Sequence, residues 1–169
     1  MRKRFELSPN LGALPISEVK IPLKSRDELP PVLLALQTIF TSDQYHSAMF
    51  EIIDPVICGG KKQTGREGMT IWEVIVLSVI RMSLNTNYDR LHWIANNDRC
   101  VGQLMGIESD DHGFSGIRKT YSLTALKENI SLLKSETIDQ INDLVLKVGQ
   151  DYFKKKTKKQ LSSKQTAMW

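Results

Sequence analysis

From Pro30 onward, apolar residues recur every three or four positions in one segment after another, the signature of helices that each bury one face. Val32, Leu33, Leu36, Ile39 and Phe40 predict a first helix. Pro30 and Pro31 suit its opening turn, and Asp27 and Glu28 lie where the helix dipole favours acids. Thr41 to Gln44 has the form of a capping box, and Tyr45, Met49, Ile52 and Ile53 predict a second helix that Pro55 should stop. Thr70 is placed to cap a third, in which Ile71, Val74, Ile75, Leu77, Val79, Ile80 and Met82 occupy most of the circumference, as in a helix packed on several sides. A short polar break at Leu84 to Asn87 precedes a fourth helix, which Asn87 is placed to cap and which carries Tyr88, Leu91, Ile94 and Ala95. Asp98 caps a fifth that ends at Gly106, and Ser122 caps a sixth with Leu123, Leu126, Ile130 and Leu133. The last helix opens at Ser135 or at the Thr137–Gln140 box and carries Ile138, Ile141, Leu144, Val145, Val148 and Tyr152. The fold class is therefore all-α, a multi-helix globular domain over residues 30–153.

The flanks lack this rhythm. Residues 1–29 contain Pro9, Pro15 and Pro22 and predict an extended N-terminal arm, with Val19, Ile21 and Leu23 alternating as in one short strand. Residues 154–169 are rich in Lys, Ser and Gln, with too little apolar area to offset chain entropy, and predict a disordered basic tail. Between the second and third helices, the segment from Cys58 to Gly68 combines four glycines with Lys61, Lys62 and Arg66 and predicts a basic loop.

Charge changes the picture because it is unevenly placed. The net charge is +4, yet residues 1–26 hold six basic against two acidic residues, and residues 154–169 hold six lysines and no acid. Residues 27–153 are left with 11 basic and 17 acidic residues, a net of −6. Contact with a polyanion thus calls on the ends or on local clusters, such as Lys61, Lys62 and Arg66 or Arg118 and Lys119, rather than on the body as a whole. The longest apolar stretch, Ile71 to Leu84, is interrupted by Glu73, Ser78, Arg81 and Ser83, so no membrane span is expected. The basic N-terminus has no apolar segment behind it to make a signal peptide, and a cytoplasmic location follows as the default. Cys58 and Cys100 lack paired spacing and read as reduced structural thiols.

Candidate chemistry is limited. Lys61-Lys62-Gln63-Thr64 does not place lysine directly before Ser or Thr, as phosphate cradling by a P-loop requires. Asp110, Asp111 and His112 match a hard-metal site in composition only, since adjacent carboxylates diverge unless a turn gathers them. The three helices from Thr70 to Gly106, joined by tight turns, have the skeleton of a helix-turn-helix core. In its second helix Arg90, Trp93 and Asn97 fall at i, i+3 and i+7, a spacing suited to one groove-facing surface, although Trp93 also suits a core.

Several segments, taken in order, resemble the N-terminal region of DDE-type insertion-sequence transposases, the ISNCY group and the related InsH-type enzymes. They are Arg2 to Phe5, Ile21 to Pro31, Thr64 to Met69 followed by Trp72, Asn87 to Leu91, and Tyr121 to Leu133. The segment Gly65-Arg-Glu-Gly68 departs from the family in lacking a proline after arginine. The resemblance implies a helical module that binds DNA at element ends, ahead of an RNase H-like domain whose three carboxylates hold two divalent metals for phosphoryl transfer. No such catalytic domain is expected within these 169 residues. The chain is accordingly expected to be a truncated module that is not itself an enzyme and needs no cofactor of its own. On this reading Lys61, Lys62, Arg66 and the terminal lysines contact phosphates, while Arg90, Trp93 and Asn97 face the groove. The alternative is a helical oligomerisation or inhibitor module, in which the stripe from 138 to 152 docks on a second copy or on full-length transposase.

Overall fold

A computed structural model describes residues 13–58, 68–107 and 119–166, with no account of the side chains at 58, 153 and 157–166. The described residues form seven α-helices: α1 (Leu29–Thr41), α2 (Asp43–Cys58), α3 (Ile71–Ser83), α4 (Tyr88–Asn97), α5 (Arg99–Leu104), α6 (Leu123–Ile130) and α7 (Ser135–Thr166). The all-α expectation holds for them.

The core is built around α3, in which every residue from Ile71 to Ile80 is buried. Its start is set by a complete capping box. Thr70 Oγ1 accepts from the Glu73 amide at 3.2 Å, and the Glu73 carboxylate accepts from the Thr70 amide at 3.1 Å. Glu73 is only 3% exposed, and Lys119 meets its two oxygens at 2.9 and 2.8 Å, so the buried charge is paired and hydrogen-bonded. Trp72 lies fully inside, its ring 4.8 Å from that of Phe40 on α1 and its Nε1 donating to the Leu104 carbonyl of α5 at 2.8 Å. These contacts fix α1, α3 and α5 to one another.

Helix α7 lies on α1 and α2 and buries Thr137, Ile141 and Val148, with Ile138, Leu144 and Val145 half-buried beside them. The apolar stripe therefore completes the core of the chain itself. Tyr45 of α2 donates its hydroxyl to Asp151 of α7, joining the two helices near the end of that stripe.

Four local expectations are corrected. Pro55 does not stop α2, which runs on to Cys58; Pro55 and Glu51, whose carbonyl loses its usual partner, are both exposed, so water can satisfy that oxygen. Thr41 does not cap α2, because it closes α1 with its hydroxyl donating back to the Gln37 carbonyl at 2.8 Å. Residues 19–23 are not a strand. The chain there follows a 3-10 turn at Ile16–Glu18 that lies against α1, where the Gln37 side chain donates to the carbonyls of Ile16 and Val19 at 2.7 and 3.0 Å. The Cys100 thiol, a half-buried group on α5, adds a 3.8 Å contact to the Lys20 carbonyl. Finally, α7 continues to Thr166, so the lysine-rich segment is helical to that point rather than disordered; between Gly149 and Thr166 there is no glycine or proline to break it.

Candidate nucleic-acid interface

The α3–α4 connection is set by local chemistry. Asn85 takes the left-handed conformation with φ 44°, the Thr86 amide donates to the Arg81 carbonyl and the Asn85 amide to that of Met82, both at 3.1 Å. This is a Schellman closure with asparagine at the position glycine usually fills. Asn87 then caps α4, its Oδ1 accepting from the Arg90 amide at 2.9 Å. At the far end Asp98 caps α5 through the Val101 amide at 2.9 Å, and Gly106, with φ 70°, ends that helix.

Helix α4 is divided cleanly by burial. Leu91, Ile94 and Ala95 face the core. His92 and Asn96 hold the chain that enters α6: Asn96 Nδ2 donates to the Tyr121 carbonyl at 3.0 Å, Asn96 Oδ1 accepts from the Tyr121 amide at 2.8 Å, and His92 Nε2 donates to the same carbonyl at 2.9 Å. Arg90, Trp93 and Asn97 are all exposed, and the i, i+3, i+7 spacing puts them on one face. Trp93 is 62% exposed, the most open of the large apolar side chains described, which removes the core alternative for it. Asn97 Nδ2 donates to the Trp93 carbonyl at 2.8 Å, leaving its Oδ1 and second amide hydrogen directed to the surroundings. Asp89 is also exposed at the edge of this face, so its charge balances that of Arg90.

The remaining predicted contacts are distributed differently. Lys61, Lys62 and Arg66 lie outside the described residues, as do Asp110, Asp111, His112 and Arg118. Lys119 is engaged by Glu73. Lys147, Lys154, Lys155 and Lys156 are exposed along α7. Among the described residues no three potential ligands gather as a metal site would require, and no helix is long and apolar enough to cross a membrane. Sequence reasoning did not single out Arg81 and Lys127, which converge on Tyr88 at the start of α4, their charged atoms 4.4 and 6.0 Å from the ring centroid. Their sequence positions, seven before and 39 after that tyrosine, carry no local signal of this meeting.

The Tyr45 hydroxyl titrates above its ordinary value of 10.0, chiefly through its hydrogen bond to Asp151, with burial and the carboxylate charge acting in the same direction. This pair lies on α2 and α7 and is distinct from the α4 face. Comparison with known proteins finds no matching family model, curated protein or solved structure.

Proposed function

We propose that the chain is a DNA-binding module of an insertion-sequence transposase, acting in transposition by engaging DNA at element ends. The observation that carries this reading is the open α4 face of Arg90, Trp93 and Asn97, presented after a tight turn from the central helix while the opposite side of α4 is anchored in the core. On this reading α3, α4 and α5 serve as a helix-turn-helix core with α4 as the recognition helix. Arg90 offers a planar set of donors for base edges, Trp93 a flat apolar surface for a thymine methyl or a sugar, and Asn97 a paired donor and acceptor. Because Asp89 offsets Arg90, this face reads rather than grips; phosphate contact falls to Lys61, Lys62, Arg66 and the lysines of α7. The module binds without cutting and without a cofactor of its own. The docking alternative, to a second copy or to full-length transposase, would draw on the α7 stripe, of which Ile141 and Val148 are buried within this chain and Tyr152 is exposed.

The test is a mobility shift with duplexes from the terminal inverted repeats against a scrambled duplex, repeated across a salt series. Arg90→Ala and Trp93→Ala should each reduce discrimination between the duplexes by about 1–3 kcal/mol, while Lys61→Ala with Lys62→Ala should weaken both equally and flatten the salt dependence. Equal affinity of the α4 variants and the native chain for every duplex would refute α4 as the reading helix.

A further inference from the structure

Helix α7 has a second face, outside its contacts with α1 and α2. Asp139, Asn142, Leu146, Gly149 and Lys156 recur along it at alternating steps of three and four, with Phe153 at the remaining position of the repeat in the sequence, so they share one side of the helix. This side lies about a third of a turn from the buried Ile141 and Val148. Leu146 is 55% exposed on it, and Asp139, Asn142 and Lys156 are exposed as well. Among the described residues neither Asp139 nor Lys156 has an ion-pair partner. Gly149 stands out among them. Glycine in a helix interior costs more than alanine, and the packing of the chain does not demand it here, because a Cβ at Gly149 would meet no atom within 4 Å. Bare backbone in mid-helix suits the close approach of another helix.

Charge along α7 is complementary to itself. From Ser135 to Asp151 it carries four acids and one lysine, and from Tyr152 to Thr166 six lysines and no acid. We propose that this face pairs two copies of the chain through antiparallel α7 helices. A two-fold axis midway between Leu146 and Gly149 sets Leu146 of each copy over the Gly149 backbone of the other, and Asp139 of each opposite Lys156 of the other, about 13 Å along the helix on either side of the axis. The same axis lays the acidic half of each α7 beside the basic half of its mate. A second copy fits this arrangement better than DNA does, since a polyanion on the same face meets Asp139 as well as Lys156. The contact is distinct from the apolar stripe. Lys147 and Lys154, about a third of a turn round α7 from the pairing face, stay open to phosphates.

The experiment is sedimentation velocity of the full chain without DNA, from ~1 to ~500 μM, a range that brackets the affinity of one small helix–helix contact. The expected result is a reversible monomer–dimer equilibrium. Asp139→Lys and Lys156→Glu, both at exposed positions, should each weaken it about tenfold or more through like charges set opposite one another. An equimolar mixture of the two variants should regain the native affinity, because the mixed pair restores opposite charges at both ends. Gly149→Ala should raise the Tm of the dilute chain and weaken association, since the new methyl group takes the space of Leu146 from the second copy. A chain that stays monomeric throughout, charge reversals that associate like the native chain, or a mixture no tighter than its parts overturns the proposal. None of these measurements involves α4, so their outcome is separate from that of the DNA-binding test.

Discussion

Replacing Asn96 by alanine removes the side chain that ties α4 to the segment leading into α6. Its carboxamide pairs with both backbone groups of Tyr121, at 2.8 and 3.0 Å, and Tyr121 is only 5% exposed. After truncation the Tyr121 carbonyl keeps His92, but its amide loses the Asn96 Oδ1 acceptor, and removing the acceptor of a buried donor costs ~1–3 kcal/mol. We expect a loss of about 2 kcal/mol, equivalent to a fall in Tm of roughly 4–8 °C for a chain of this size. Asn97→Ala is the internal control. Asn97 is exposed and bonds only to the carbonyl of Trp93 one turn earlier, so its replacement should stay within ~0.5 kcal/mol of the native chain. Asn96→Asp sharpens the test, since it keeps an acceptor for the Tyr121 amide but sets a carboxylate oxygen against the Tyr121 carbonyl; it should be at least as damaging as alanine. Urea unfolding of the three variants measures these differences. If Asn96→Ala and Asn97→Ala prove equally stable, the clamp contributes nothing and the account of how α4 is held is wrong.

Other expectations follow from single features. Thr70→Ala opens the capping box of α3 and should cost about 1 kcal/mol in chemical denaturation, most of it recovered by Thr70→Ser. Asn85→Gly should be neutral or slightly stabilising at its left-handed position, whereas Asn85→Val should cost ~1–2 kcal/mol by the same assay. The raised titration of Tyr45 means that its contribution to stability is complete below pH 10.0 and is lost as pH rises through the folded-state value. Stability measured by urea unfolding on the alkaline side should therefore fall less steeply with pH in Tyr45→Phe than in the native chain.

What could be read from the chain was whatever a residue does to its near neighbours. The caps at Thr70, Asn87, Asp98 and Ser122 act over three residues, and all four are formed. The all-round apolar pattern of α3 marked the centre of the core for the same reason. Competition between local options was harder to judge: the Thr41 hydroxyl could serve either the helix before it or the one after, and it serves the one before. Pro55 shows a related limit, since its cost depends on whether water reaches the freed carbonyl of Glu51, which only the packed structure decides. The spacing of Arg90, Trp93 and Asn97 defined a face, and burial then showed that this face is open. The Asn96–Tyr121 clamp, the Glu73–Lys119 pair and the convergence on Tyr88 join residues far apart in the chain, and no periodicity encodes them.

Fastened to the core by Leu91, Ile94 and Ala95 and to the chain behind it by Asn96 and His92, α4 has little room to swivel. If α4 reads a duplex as proposed, whatever adjustment the fit requires falls to the DNA rather than to the helix. The energy of such a deformation varies with the softness of each base step, so on that reading sequence preference extends to base pairs that no side chain reaches.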